Sequence, residues 1–159
     1  LLYSYQWIGR ALAAGLGGLG APVEMMGAGG GDEPTPAFCF ARTGSCEIEA
    51  GGKKLGGGAQ RRHGRTFVQH GSILLGVDAP RLAAIFPRTA DPLATLTTLE
   101  AALGRRAKFD DVVTALAAAF ESEHGIRLSP DGLSANEAAS VERLVAEKYG
   151  TDAWREGRA

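Results

Sequence analysis

Cysteine is scarce in this chain: Cys39 and Cys46 are the only two in 159 residues. No charged n-region followed by a short apolar core marks export. With so few cysteines and no export signal, thiols are expected rather than a disulfide framework. Long apolar runs are missing too, and none approaches the roughly 18 residues that carry a helix across a bilayer. An excess of either charge is also absent, since 17 Lys and Arg face 18 Asp and Glu. Nothing is basic enough to call for nucleic acid. One soluble domain in the cytoplasm is the default expectation, with neither membrane nor nucleic acid as a partner. Methionine does not open the chain, which begins at Leu1-Leu2-Tyr3 inside an amphipathic pattern. A missing amino-terminal part is the expectation that follows. Glycine is plentiful, with 23 residues concentrated between Gly15 and Gly76, so the first half reads as loop-rich and the second as helical.

Leu1, Tyr5, Ile8, Leu12 and Leu16 recur at helical spacing, ended by Gly17 and Gly18. A strand is expected around Val23 to Met25, then a loop from Gly27 to Pro36, where Pro-Thr-Pro supports neither helix nor ladder. Cys46, Ile48 and Ala50 alternate with Glu47 and Glu49, the period of a half-exposed strand whose acidic face meets solvent. Gly51-Gly52 suits a two-residue hairpin turn. A return strand from Lys54 to Arg62, a turn at His63-Gly64-Arg65 and a strand from Thr66 to Val77 follow, with Ser72 to Leu75 reading as buried on both faces. From Ala79 the pattern turns helical. Leu96, Leu99 and Leu103 mark a short helix. Phe109, Val112, Val113, Leu116 and Phe120 form one apolar stripe that Gly125 ends. Ser134 and Glu137 make a capping box for the last helix. An α+β architecture with a mixed or antiparallel sheet is predicted. It is read as one domain over 1–159, with helix, sheet and site in 1–78 and a helical part in 79–159.

Gly15-Leu16-Gly17-Gly18-Leu19-Gly20 matches the dinucleotide fingerprint in letters only. It needs a strand before it and a helix after it, so a helix stop is the better reading. Cys39, between Phe38 and Phe40, is either a small core hydrophobe or a loop nucleophile whose thiolate a nearby lysine favours. Cys46 reads as a packed strand residue. Lys54 is either a solvated hairpin lysine or a site cation. Gly56-Gly57-Gly58 tips the balance, because three glycines weaken a strand and suit a place where a ligand or another backbone comes close. His70 either satisfies a backbone carbonyl or serves acid-base work. Arg61 and Arg62 divide between solvent and an anion contact.

Cys39-Phe40, Glu47-Ile48, Gly52-Lys53-Lys54-Leu55, Gly57, Ala59-Gln60, Arg62 and Gln69-His70-Gly71-Ser72-Ile73-Leu74-Leu75 follow an order and spacing that resembles the lipoate-protein ligase A family. That family is part of the biotin/lipoyl protein ligase superfamily, and its cysteine-dependent octanoyltransferases are the nearest likeness. Leu144, Glu147-Lys148-Tyr149 and Trp154 resemble its terminal helix, so the likeness runs from about Tyr3 to Trp154. Where Gly58 stands the family usually has serine. Its amino-terminal Arg-Arg and Thr-Gly-Gly segment has no counterpart here, so the resemblance implies the carboxy-terminal part of a catalytic domain.

The resemblance implies octanoyl transfer from acyl carrier protein to a lysine of a lipoyl domain or of the glycine-cleavage H protein, within lipoate biosynthesis. Cys39 and Lys54 would be catalytic. Gly57, Gly58, Ala59, Gln60, His70 and Gly71 would bind substrate. No metal and no cofactor would be needed. The alternatives are an ATP-dependent lipoate ligase using ATP and Mg, with Cys39 as packing, and a non-catalytic fragment or subunit that binds a lipoyl domain. The missing segment implies weak turnover by this chain alone, restored by an amino-terminal extension or a second chain.

Overall fold

The helical spacing at the start of the chain is realised as α1, Leu2–Gly18, in a computed structural model that describes residues 2–27, 40, 41, 44, 46–87 and 91–157. Leu16 is fully buried, and Leu12 packs against the core it belongs to. Gly17 and Gly18 form the last turn of α1, and Gly20, at φ 96°, turns the chain out of it. Glycine enters that left-handed region with no Cβ penalty. No strand precedes this run among the described residues, so it is a helix end.

Four strands follow, β1 (Val23–Met25), β2 (Ile48–Ala50), β3 (Lys53–His63) and β4 (Thr66–Ile73). They pair in sequential order, all antiparallel. Gly51 and Gly52, at φ 59° and 70°, make the expected turn between β2 and β3, and Gly64, at φ 57°, the next. The helices are α2 (Ala79–Ile85), α3 (Leu99–Leu103), α4 (Phe109–His124), α5 (Ala135–Leu144) and α6 (Asp152–Arg155), with a π-helical turn at Val145–Tyr149. This is an α+β architecture built on an antiparallel sheet. Of the expected Gly27 to Pro36 loop, residues 28–36 lie outside the described residues.

The chain forms two compact units, Leu1–Leu128 and Ser129–Ala159. The change of pattern at residue 79 is therefore a change of element inside the first unit. That unit's core joins Leu16, Ile48, Leu55, Leu99 and Val112 with smaller residues. Fully burying a side chain of this size contributes about 1.5–3 kcal/mol. α1 and α4 pack closely, since a methyl group on Gly15 would lie 3.1 Å from the Ala115 carbonyl oxygen. His124 Nε2 also donates to the Trp7 carbonyl at 2.8 Å while the two rings stack. In the second unit the capping box forms as expected, with Ser134 and Glu137 satisfying each other's backbone N–H groups. The Ser134 hydroxyl, then its backbone N–H, hold the Glu137 carboxyl below its usual range.

Three expectations change. The third strand of the sequence reading stops at Ile73 instead of Val77. Its Ser72 to Leu75 portion is exposed at Ser72 and only half-buried beyond, because β4 has a neighbour on one side only among the described strands. The chain leaves the ladder after Ile73, and the carbonyls of Leu74 and Leu75 accept from Leu99 and Glu100 N–H at 2.7 and 3.0 Å. These are the donors that a first helical turn leaves unsatisfied. Third, Cys46 is not in the strand. It precedes β2 at φ 60° as a buried free thiol.

β3 and β4 pair Gly56 with Ile73, Gly57 with Ser72 and Gly58 with Gly71. A Cβ on Gly56 would lie 3.0 Å from the Ser72 carbonyl oxygen, and one on Gly58 2.9 Å from that of His70. A Cβ on Gly71 would strike the Gly57 carbonyl oxygen outright. The glycines thus permit two backbones to pass closely. Gly71→Ala is expected to lower stability by about 1–3 kcal/mol, the usual range for overpacking. Gly17→Ala, in open space within α1, should gain up to about 1 kcal/mol from helix propensity. Chemical denaturation of both variants checks the contrast, and equal midpoints would contradict it.

Candidate functional site

Lys54 is positioned by a break in the sheet register. Ile48 pairs with Gly56 but Glu49 pairs with Lys54, so Leu55 is an extra residue in β3. Such a bulge redirects the neighbouring side chains. Lys54 and Leu55 are both buried, at 5% and 0% exposure. On its other side the Lys54 backbone is held by residues 95–97. Its N–H donates to the Thr95 carbonyl and its carbonyl accepts from Thr97 N–H, each at 2.9 Å.

A buried ammonium needs an opposite charge. Glu47 supplies it: Lys54 Nζ lies 2.7 Å from Glu47 Oε2, with the Glu47 side chain 15% exposed. The sequence pattern placed Glu47 on a solvent face together with Glu49. It meets the cation there instead, because the extra residue in β3 puts Lys54 on the same side as Gly57 and Glu47, and the Gly44 N–H also donates to Oε2. Gly57 makes the pair sterically possible. A Cβ there would collide with Glu47 Oε1 and lie 2.8 Å from Lys54 Cε. The Phe40 ring covers the cation, with its centroid 5.2 Å from Nζ, and the Phe40 carbonyl accepts from Thr95 Oγ1 at 2.9 Å.

In front of the pair lies a cavity of 870 Å³. Ile8 and Leu12 of α1, Phe67 of β4, and Val113, Leu116 and Phe120 of α4 give it mainly apolar walls, while Glu47 and Gly57 form its charged side. All five residues of the α4 stripe line it, and Phe109 is 70% exposed. The apolar stripe is in large part a cavity wall. Lys54 itself stands behind Glu47 and Gly57. The charged group that faces the apolar space is the Glu47 carboxylate, paired with the Lys54 cation behind it.

Of the site residues expected from sequence, Gly57, Gly58, His70 and Gly71 line the cavity. Ala59 and Gln60 do not. The Gln60 amide accepts from Ser4 Oγ at 3.1 Å and donates to Gln69 Oε1 at 2.8 Å, which ties the hairpin to α1. The His70 ring makes no hydrogen bond to a described residue, so the carbonyl-satisfying reading finds no partner among them. Arg62 lies over Phe67 and donates to Ser4, and Arg61 is exposed. Cys39 lies outside the described residues. Glu47 and the cavity wall of α4 were missed. The signal for Glu47 was available, because a carboxylate seven residues before a buried lysine across a hairpin turn is in reach of it. Among the described residues no cluster of three His, Cys, Asp or Glu suits a metal, and no helix is long and apolar enough to cross a membrane.

This arrangement, a buried lysine behind a glycine-lined apolar cavity on an antiparallel sheet, belongs to a known class of catalytic domain. The chain is a member of the lipoyl protein ligase A/B catalytic domain family, whose model matches residues 2–121. It is 35% identical to octanoyltransferase LipM of Symbiobacterium thermophilum over 170 residues, which cover 97% of this chain and 61% of that protein. Octanoyltransferase LipM of Moorella thermoacetica is 35% identical over 166 residues, covering 98% and 60%. The chain therefore spans about 60% of the length of these curated relatives. Among solved structures, lipoate-protein ligase A bound with ATP is similar with a TM-score of 0.80 at 20% identity, covering 100% of this chain and 60% of that one. A bi-partite lipoate protein ligase from Thermoplasma acidophilum, studied with its E2 lipoyl domain, gives 0.74 at 18%, covering 99% and 58%. At such identities the likeness is one of fold.

Lys54→Met is expected to lower stability by up to about 3 kcal/mol, the lower end for leaving half of a buried ion pair, because Glu47 keeps some contact with water. Adding Glu47→Gln should restore part of that loss. Denaturation of the two single variants and the double variant measures the coupling, and strict additivity would mean that the pair contributes nothing.

Proposed function

We propose that this chain carries octanoyltransferase chemistry, moving octanoyl from acyl carrier protein to a lysine of a lipoyl domain or H protein through a thioester on Cys39. The observation that carries this reading is the buried Lys54 cation behind Gly57, at an apolar cavity, in a chain similar over nearly its whole length to octanoyltransferase LipM. Phe40 packed against Lys54 supports a role for the residue directly before it.

In the first step the Cys39 thiolate attacks the donor carbonyl. A carbon–sulfur bond to Cys39 forms as the carbon–sulfur bond to the carrier breaks, and the carrier leaves as its thiolate, which takes a proton from water. In the second, the acceptor amine displaces Cys39 and the amide forms. Both pass through a tetrahedral oxyanion. Lys54, reaching past the side-chain-free Gly57, and the backbone near Gly58 are its stabilising groups. The cavity walls take the acyl chain, each buried methylene contributing about 0.8 kcal/mol. Gly57, Gly58, His70 and Gly71 belong to this substrate wall, whereas Ala59 and Gln60 hold the hairpin that presents it. The route uses neither nucleotide nor metal.

Incubation with octanoyl acyl carrier protein is expected to add one octanoyl mass that hydroxylamine removes. Cys39→Ser should abolish the adduct and transfer to a lipoyl domain, and Cys46→Ser should keep both. Mass spectrometry reads the adduct. Transfer that persists in Cys39→Ser and requires ATP would establish the ligase reading instead, and an adduct lost only in Cys46→Ser would move the nucleophile.

A further inference from the structure

Glu47 is the only acidic side chain in the described cavity lining, which holds no lysine or arginine. A saturated acyl chain makes no use of an anion, and a carboxylate would repel an oxyanion forming on the carbonyl. Charge balance for Lys54 occupies only half of this group. Oε2 takes both Lys54 Nζ and the Gly44 N–H. Oε1 accepts no hydrogen bond from any described residue and lies on the Gly57 side, in the space a side chain there would take, with Glu47 part of the cavity lining. A carboxylate oxygen with open lone pairs beside a cavity is an acceptor for a cationic donor.

We propose that Glu47 Oε1 is the subsite for the amino group of the acceptor lysine, an inference that rests on the transferase reading above. The acceptor arrives as a primary alkylammonium and forms a charge-assisted hydrogen bond to Oε1. Lys54, held on the other oxygen of the same carboxylate, is a like charge close by and favours loss of the incoming proton. That proton passes by way of Oε1 to water. The neutral amine then forms the carbon–nitrogen bond as the carbon–sulfur bond of the acyl thioester breaks, and a second nitrogen proton goes to the departing thiolate. One carboxylate thus orients the group that stabilises the carbonyl and the group that attacks it.

Separating the two half-reactions tests the assignment. Glu47→Gln keeps an oxygen for Lys54 but removes the charge from the acceptor side. Acyl adduct from octanoyl acyl carrier protein is measured by mass spectrometry. Discharge of that adduct is then timed with a lipoyl domain and with hydroxylamine, a small neutral nucleophile. Transfer to the lipoyl-domain lysine should fall about 10- to 100-fold, the loss of one hydrogen bond to a charged group, with a smaller change in adduct formation and in discharge by hydroxylamine. Glu47→Asp, which restores the charge one methylene short, should recover part of the acceptor step, and it carries the same comparison if Glu47→Gln does not fold. Equal losses in both half-reactions would assign Glu47 to Lys54 alone and overturn the subsite, as would unchanged transfer. Failure of the parent protein to form an adduct, both alone and completed by an amino-terminal extension or second chain, would instead refute the transferase reading itself.

Discussion

A lysine ammonium survives below the surface only where an opposite charge and the space for both are built around it, because desolvation costs several kcal/mol per ion. Here that requirement organises the first unit. Gly57 supplies the space, Glu47 the charge, the bulge at Leu55 the direction, and residues 95–97 the second side of the clamp. The groups come from three stretches of chain, residues 47, 54–57 and 95–97, and the cavity lies beside them. Removing the side chain from one strand position thus lets a cation sit directly behind an apolar wall.

Local signals in the sequence carried the framework well. Gly51 and Gly52 adopt the positive φ that a two-residue turn demands, Gly125 ends α4 at φ 62°, and Ser134 caps α5 with Glu137. Each of these depends on neighbours a few residues away. What failed depended on distant ones. Strict alternation put Glu47 and Glu49 on a solvent face, and they do alternate with buried Cys46, Ile48 and Ala50, but the extra residue Leu55 in β3, with no glycine or proline at that position to announce it, turns Lys54 to the same face as Glu47. The stripe on α4 obeyed helical period correctly, yet apolar side chains face a cavity and a core with the same periodicity. Ser72 to Leu75 looked doubly buried because apolar content does not say whether a strand has one neighbour or two. The roles expected of Cys39 and Lys54, weighed against core packing and a solvated hairpin on residue context, were fixed only by the family resemblance.

The glycine run has two physical explanations rather than one. Gly56, Gly58 and Gly71 answer to backbones that nearly touch, and Gly57 answers to the ion pair. A reading that assigns all of them to a ligand overlooks the first, and one that assigns all to strand packing overlooks the second. Membership in the lipoyl protein ligase A/B catalytic domain family is consistent with both demands acting on the same few residues.

The clamp on Lys54 closes a long loop. Lys53 Nζ donates to the Leu93 carbonyl, 40 residues away, at 2.9 Å, and Lys54 exchanges hydrogen bonds with residues 95–97. The hairpin β3–β4 is local and closes early, but contacts of this span wait for the entropy of the intervening chain to be overcome. Covering the lysine therefore carries a loop-closure cost that pairing β3 with β4 does not, and the chemistry of the site is tied to a stretch of chain 40 residues on.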